Sequence, residues 1–278
     1  MHVHLSVDME GIAGVAVPSD TRPGNVSYEY ARRLMVAECN AVVEGCFEAG
    51  AHGVLVNDSH GTMANLPQLD VDPRAEVVRG WTKPYGMAYG IDGETDAAMF
   101  VGYHAGAGHH DGVLNHTMSF RDILSVRLNT EPAGELRLNA ALAGWLGVPV
   151  VLVSGDDIVC AEARHCLPAV EAVTVKRSID RCAAVSVHPS RSQEMLREAA
   201  RSALRRLGDV RPYRVETPAT LNVTWRSTSI AALCENVPGV HRVAPRETSF
   251  RSDDYAELYR VFIALGLLAT TVPDESGA

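Results

Sequence analysis

The chain lacks a dense cysteine framework, a long apolar run and an excess of positive charge. Its 278 residues include six scattered cysteines and no CxxC pair, which favours free thiols in a reducing compartment over a set of disulfides. The longest late apolar run, residues 261–272, is too short to span a bilayer. The formal net charge of −9 and the isoelectric point near 5.6 argue against a nucleic-acid partner, which usually requires a basic stripe. We therefore expect neither a membrane nor a nucleic-acid partner.

The first residues also lack the charged n-region and apolar h-region of an export signal. They show instead an alternation of apolar and polar residues that predicts a strand. The composition is that of an ordinary globular protein, with 46% hydrophobic and 21% charged residues. Together with the free thiols, these features predict a cytoplasmic protein.

Strand-like apolar runs alternate with helix-like patterns over the first three quarters of the chain. Residues 3–7 predict the first strand, Ser27 is the predicted N-cap of the first helix, and Ser190 with Gln193 has capping-box spacing. Strands that alternate with helices form βαβ units, so we predict an α/β fold with a mainly parallel sheet flanked by helices. The further predicted strands are 54–56, 99–101, 149–153 and 172–176, and the predicted helices are 27–47, 136–146 and 190–207.

The pattern changes after residue 209. Residues 218–225 alternate as a half-exposed strand should, and a strand near 240–243 and a helix over 253–268 follow. We predict two units, an α/β metal-binding catalytic domain over residues 1–209 and a smaller C-terminal α+β subdomain over residues 210–278. The subdomain would supply oligomer contacts and a wall of the pocket. Only the final DESGA, residues 274–278, has the composition of a tail.

Three short motifs, SVDMEG, VNDSHG and VGYHAG, each place potential metal ligands between a predicted strand and a glycine. They carry Asp8 with Glu10, Asp58 with His60, and His104. The carboxyl ends of the strands in an open α/β sheet face one crevice, so these residues would meet there. A lone histidine after a strand is more often an ordinary loop residue, but the repetition at three strand ends favours a metal centre.

Asp8 and Glu10 are one residue apart, and extended geometry places their side chains on the same side. Two adjacent carboxylates repel each other, and a bound cation offsets the cost of that repulsion. An equal alternative is that Asp8 caps a loop and Glu10 is exposed to solvent. A carboxylate–imidazole set without cysteine suits catalytic zinc, with manganese or cobalt as possible substitutes. A shared carboxylate commonly holds two ions ~3.5–4 Å apart for a hydrolytic displacement, and Asp8 would be that bridge.

Four further candidates have structural explanations that compete with functional ones. His116, in GVLNHTMS, is either a functional residue or a satisfied polar one. Glu135 opens the second predicted helix, where the helix dipole favours an acidic residue in any case. Asp156 and Asp157 follow another strand, and they would either bind a substrate ammonium group or cap the next helix.

The motifs taken together resemble a known family. SVDMEGIAGV, VNDSHG, GYHAG, GVLNHTM, GELRLNA and VSGDD closely resemble those of the bacterial zinc-dependent D-aminopeptidases of the dipeptide-operon type, the D-aminopeptidase or dipeptide transport protein family. The resemblance covers nearly the whole chain in the same order. It implies two zinc ions per subunit, and a ring-like homo-oligomer, a decamer, that encloses its active sites.

The same resemblance implies individual roles. Asp8 would be the ligand that bridges the two zinc ions. Glu10 and His104 would complete one zinc site, and His60 and Glu135 the other. His116 would be the catalytic residue.

The sequence thus predicts a metal-dependent aminopeptidase that uses activated water on short peptides or amides with an N-terminal D-amino acid, such as D-Ala-D-Ala. Whether His116 acts as nucleophile, general acid–base group or oxyanion stabiliser is open. We favour the last two roles, because activated water already supplies a strong nucleophile. The alternatives are an L-aminopeptidase or small amidase with the same centre, and a non-catalytic dipeptide-binding protein.

Overall fold

The computed structural model describes residues 1–273, which form a seven-stranded sheet, a five-stranded sheet and six α-helices. The predicted tail, residues 274–278, lies outside the described residues. The strands are β1 (His2–Val7), β2 (Gly53–Asp58), β3 (Glu76–Val78), β4 (Ala97–Tyr103), β5 (Ile123–Leu128), β6 (Glu131–Pro132), β7 (Val150–Asp156), β8 (Glu171–Asp180), β9 (Ala183–Ser186), β10 (Ala219–Trp225), β11 (His241–Ala244) and β12 (Glu247–Ser252). The helices are α1 (Val26–Glu48), α2 (Glu135–Trp145), α3 (Asp157–Cys166), α4 (Pro189–Arg205), α5 (Thr228–Cys234) and α6 (Tyr255–Thr270).

The larger sheet has the strand order β3-β2-β1-β4-β7-β8-β9. All its neighbouring strands are parallel except β9, which pairs antiparallel with β8. Val7 at the end of β1 pairs with Asp58 of β2 on one side and with Val101 of β4 on the other. The carboxyl ends of three strands therefore lie side by side, and the predicted α/β class with a mainly parallel sheet is confirmed.

Alternating side chains of the central strands divide the core between the two faces of this sheet. Val3, Leu5 and Val7 are fully or almost fully buried in a cluster that includes residues of α1 and α4. Phe100 of β4 belongs to a second cluster, with residues of α2, α6 and the smaller sheet. The strand ends that carry the motifs are thus fixed by packing on both faces.

Two predicted helix starts are wrong because other residues occupy the capping positions. α1 begins at Val26 after Asn25, not after Ser27. α4 begins at Pro189, and the side chain of His188 accepts a hydrogen bond from the backbone N–H of Ser190. Proline at the first helical position is preorganised for a helix, and here it moves the start ahead of the predicted capping box.

The smaller sheet is antiparallel, with the order β11-β12-β10-β5-β6. The sequence predicts β10 and β11 but misses β5, β6 and β12, as well as β3, β9 and α5. It anticipates α3 only through the alternative that Asp156 or Asp157 caps a helix. Because β5 and β6 precede residue 210, the chain on both sides of the predicted domain boundary contributes to this sheet. The division into residues 1–209 and 210–278 stays a prediction. Among the described helices, none is both long and apolar enough to cross a membrane.

Candidate metal centre

Three parallel strands and one helix deliver the predicted ligands to one place. Asp8 follows β1, His60 follows β2 and His104 follows β4, whose ends lie side by side in the sheet. Glu135 is the first residue of α2, and His116 lies in the loop between β4 and β5. Apart from the partly buried His116, all these groups and Glu10 are at least nine-tenths buried.

Asp8 lies between the two histidines that follow β2 and β4. Its Oδ1 is 3.3 Å from Nδ1 of His60, and its Oδ2 is 3.4 Å from Nε2 of His104. Glu10 Oε2 is 2.8 Å from the same His60 nitrogen. The potential ligand atoms of Asp8, Glu10 and His104 also lie within 4.8 Å of one another.

Glu135 and His116 complete the cluster on the His104 side. Glu135 Oε2 is 3.4 Å from His104 Nε2, and its Oε1 is 3.8 Å from His116 Nε2. The imidazoles of His104 and His116 stack with their centroids 4.3 Å apart. Apart from the contacts of Asp8 with both imidazoles, the closest carboxylate–imidazole pairs are Glu10 with His60 and Glu135 with His104. The division of ligands between two zinc ions that the resemblance implies stays a prediction.

Each imidazole has one ring nitrogen next to a backbone carbonyl and the other next to carboxylates. His60 Nε2 lies 2.8 Å from the carbonyl oxygen of Thr21, His104 Nδ1 lies 3.0 Å from that of Ala105, and His116 Nδ1 lies 2.9 Å from that of Leu114. A ring that donates to a carbonyl presents its other nitrogen as a lone pair, which is the usual arrangement of a metal-ligating histidine.

The buried Nε2 of His104 has no hydrogen-bond partner among the described residues, although two carboxylates lie 3.4 Å away. Buried polar atoms normally have a partner, so an orphaned one needs an explanation. Carboxylates and imidazole lone pairs that converge without cysteine are the donor set of a catalytic zinc site. The residues present therefore fit a divalent metal.

The electrostatics of the cluster agree with that fit. Burial alone would lower the pKa of His60 and of His104, but the neighbouring carboxylates outweigh it and raise both pKa values well above the ordinary range. Burial would raise the pKa of Asp8, yet the two imidazoles lower it to about 2. Burial likewise opposes ionisation of Glu135, but His104 keeps its pKa lowered. Asp8 and Glu135 thus stay ionised, and the site attracts positive charge, either as protons or as a metal ion.

A cavity of about 170 Å³ opens onto the cluster. Its polar lining includes Asp8, Glu135, His116 and Lys83. This volume is smaller than the roughly 300–1,000 Å³ of pockets for drug-sized ligands, so it fits a small substrate. Its apolar wall includes Met63, Met87, Met118, Phe262, Ile263 and Leu267.

Three acidic residues from the sequence motifs do not reach this cavity. Asp58 accepts hydrogen bonds from the backbone N–H groups of Asn65 and Leu66, and so shapes the loop that carries His60. Asp156 is the N-cap of α3 and accepts from the backbone N–H groups of Val159 and Val113. For Asp156 the capping alternative is observed, and the structure does not bring it to the cavity.

Asp157, the other predicted substrate contact, accepts from the backbone N–H of Ser178 and does not line the cavity either. The sequence reasoning missed Lys83, which does. The missed signal is compositional, because Lys83 and Lys176 are the two lysines of a chain with 25 basic residues. A residue type used so sparingly could have drawn attention to both, and Lys176 also lies at the end of a predicted strand.

Comparison with known proteins gives consistent results. A family model described as D-aminopeptidase, peptidase M55, matches residues 1–264. A D-aminopeptidase from Bacillus subtilis (strain 168) is 34% identical over 270 residues, which cover 97% of this chain and 98% of that protein. The solved structure of the Zn-dependent D-aminopeptidase DppA from Bacillus subtilis, described as a self-compartmentalizing protease, matches with a TM-score of 0.94. That match has 33% sequence identity and covers 99% of this chain and 100% of the other.

Proposed function

Since the chain belongs to the peptidase M55 family of D-aminopeptidases, we propose that it is a zinc-dependent aminopeptidase acting on short peptides or amides with an N-terminal D-amino acid. The observation that carries the proposal is the convergence of Asp8, Glu10, His60, His104 and Glu135 in one buried cluster. Asp8 and Glu135 of this cluster also line the small cavity. A protein that only binds dipeptides has no need of three buried carboxylates and two imidazoles at one point. The family relation and the donor set support the same conclusion independently.

We further propose that these five residues hold two zinc ions and that Asp8 bridges them. The support is the position of Asp8, whose two oxygens face His60 and His104 respectively. At such a site zinc supplies Lewis acidity, because it lowers the pKa of water and polarises a carbonyl oxygen. Manganese or cobalt can satisfy the same donor set.

His116 is the proposed acid–base residue. Its Nδ1 is held by the carbonyl of Leu114, its ring stacks on His104, and its Nε2 points towards Glu135 at the cavity. A fixed imidazole at that position can take a proton from the attacking water and return it to the leaving amine. Its N–H form can also stabilise the oxyanion.

The substrate assignment rests on the cavity. Its small volume and apolar wall fit a dipeptide with small or apolar side chains such as D-Ala-D-Ala. The wall decides chirality, because metal ligands contact the reacting groups and not the side chain of the substrate. We also propose a ring-like homo-oligomer, a decamer, since the DppA relative is described as self-compartmentalizing.

The test is hydrolysis of D-Ala-D-Ala by the purified protein, together with zinc analysis and light scattering. We expect turnover that a chelator abolishes and zinc restores, two zinc ions per subunit, and a preference for D- over L-aminoacyl amides. Equal or greater rates on L-substrates would favour the L-aminopeptidase or amidase. Binding of dipeptides without any turnover would instead make the chain a binding protein.

A further inference from the structure

Lys83 and Lys176 are the two lysines of the chain, and both are buried beside the metal centre. Lys176 is 1% exposed and Lys83 is 8% exposed. An ammonium group has three N–H donors and no acceptor. A buried donor without an acceptor costs free energy, so the partners of the two groups can be compared directly.

The ammonium group of Lys176 has a full set of acceptors. It donates to the carbonyl oxygen of Glu10, to that of Ile12 at 3.0 Å and to that of Val15 at 2.5 Å. Three donors thus meet three carbonyls of the loop that carries Glu10. Lys176 positions this loop and has no donor left for a ligand.

The ammonium group of Lys83 has one acceptor fewer. It donates to Asn57 Oδ1 and to the carbonyl oxygen of Asp58, the latter at 2.6 Å. The amide nitrogen of Asn57 donates to the carbonyls of Gly86 and Met87 at 3.0 and 2.9 Å, which turns its oxygen towards the ammonium group. In residues 1–273 no third acceptor and no carboxylate within ion-pair distance is found for Lys83.

Lys83 therefore contributes a spare donor and a positive charge to the cavity that it lines. The Asp58 carboxylate acts on this charge electrostatically but forms no direct ion pair with it. A buried cation without an ion pair is unfavourable, and an anion in the cavity would relieve that cost. Burial lowers the pKa of Lys83 only to about 8, so the group is still mostly protonated at neutral pH. Apart from the imidazole of His116, no other basic side chain among residues 1–273 lines this cavity.

Two groups of a dipeptide substrate carry negative charge during the reaction: the oxyanion at the reacting carbonyl and the free carboxylate of the C-terminal residue. In the proposed function, the metal centre already polarises the reacting carbonyl. Lys83 is bound to the carbonyl of Asp58, which pairs in register with Val7, so its ammonium group lies beside the ligand-bearing strand ends. In a dipeptide only the amide nitrogen and one Cα separate the scissile carbonyl from the C-terminal carboxylate, so a cation beside the metal centre is within reach of that carboxylate.

We propose that Lys83 binds the free C-terminal carboxylate of a dipeptide substrate, and thereby selects dipeptides over amides and longer chains. This proposal rests on the proposed aminopeptidase function. An ammonium–carboxylate contact in such a cavity is a charge-assisted hydrogen bond. Its loss should change affinity about 10- to 100-fold.

The first experiment compares D-Ala-D-Ala with D-alanyl-D-alaninamide, which lacks the carboxylate, on the zinc-loaded protein. We expect the wild type to prefer the dipeptide through a lower KM, and Lys83→Met to reduce the dipeptide-to-amide ratio of kcat/KM about 10- to 100-fold. The matched control is Arg79→Met, which removes an exposed cation four residues away that is bonded to the Ala64 carbonyl. This control should keep the wild-type ratio.

A second experiment measures binding without turnover. In the His116→Ala background, calorimetry should show tighter binding of the dipeptide than of the amide, and adding Lys83→Met should remove the difference. Equal binding of the two ligands while Lys83 is present would overturn the proposal. So would a loss of kcat shared equally by both substrates in Lys83→Met, which would make Lys83 an oxyanion-stabilising or structural residue. If the wild type hydrolyses neither ligand, the proposed function fails, and calorimetry still decides the role of Lys83.

Discussion

At the scale of single residues, the two ring nitrogens of each histidine in the metal centre have different partners. Thr21, Ala105 and Leu114 hold one nitrogen of each ring through their carbonyls, and the other nitrogen faces the carboxylates. The sequence could predict His60 and His104, because motifs at strand ends converge in a parallel sheet. It could not predict which nitrogen faces the site, because the carbonyl partners of His60 and His116 lie on loops whose paths depend on tertiary packing.

Replacing His116 by alanine tests its role. We expect the rate of D-Ala-D-Ala hydrolysis to fall ~10²–10⁴-fold, the usual contribution of an acid–base group, because a fixed proton carrier at the cavity is lost. Zinc content, measured by atomic absorption, should stay at the wild-type level, because the five proposed ligands remain. A variant that loses zinc along with its activity would show that His116 is a ligand instead.

At the scale of elements, close backbone approaches hold the motif loops together. Gly102 of β4 has φ +72°, and a Cβ there would lie 2.1 Å from the carbonyl oxygen of Asp8. The sequence could predict β1, β2 and β4 from their apolar patterns, but not this contact, because it depends on how two strands separated by about ninety residues are paired. β5 and β6 of the smaller sheet were missed for a related reason, since β5 is stabilised by pairing with the distant β10, and β6 by pairing with β5, and not by a local pattern.

Gly102→Ala should therefore displace Asp8. We expect reduced zinc content and a large loss of stability, measured by urea unfolding, because the new methyl group overlaps backbone that cannot move aside. Gly147→Ala is the matched control, since Gly147 also has a positive φ, +87°, but nothing lies within 4 Å of its Cβ position. It should cost only the ~1–2 kcal/mol of the left-handed conformation and keep its zinc. Normal zinc content in Gly102→Ala would contradict this account of the contact.

Glu38 connects three elements from a buried position. Its Oε1 accepts from the backbone N–H of Ala13 and from Ser192 of α4, while its Oε2 has no hydrogen-bond partner in the described chain. Burial raises its pKa to about 7. Because the folded-state pKa lies above the unfolded value, the neutral form stabilises the fold fully below about pH 4.5. That contribution is lost as the pH rises through about 7.

Glu38→Gln keeps the neutral shape at every pH. Relative to the wild type, the variant should therefore gain stability between pH 5 and pH 8, by up to about 3 kcal/mol. Urea unfolding of both proteins at the two pH values measures the change, and any constant cost of the substitution cancels in the comparison. A difference that does not vary with pH would mean that Glu38 is ionised throughout this range.

At the scale of the whole molecule, the sequence predicted the fold class but placed a boundary that the smaller sheet crosses. The described strands after residue 209, β10 to β12, are all antiparallel, but the division at that residue stays a prediction. However, β5 pairs with β10, and the core cluster below them joins Val126 to Val223 and Phe262. Local composition cannot reveal such a shared core, because the partners lie about a hundred residues apart.

Metal binding should stabilise the whole fold, and more so at high pH. Without metal, the carboxylates raise the pKa values of His60 and His104 well above their unfolded value of 6.5. The folded metal-free protein therefore binds more protons than the unfolded chain above pH 6.5, and its stability falls as the pH rises towards those raised pKa values. Zinc bound by these two imidazoles would take the place of their protons, and its binding would strengthen as the protons leave.

Thermal unfolding of zinc-loaded and chelator-treated protein tests this linkage. We expect the difference in Tm between the two forms to be larger at pH 8.5 than at pH 6, because the metal-free form loses stability over that interval while the zinc-loaded form has no such protons to lose. Free zinc must be held constant at both pH values, because stabilisation by a ligand depends on its concentration. A Tm difference that shrinks with rising pH would mean that the two imidazoles do not exchange protons for metal. The assignment of His60 and His104 as ligands would then fail.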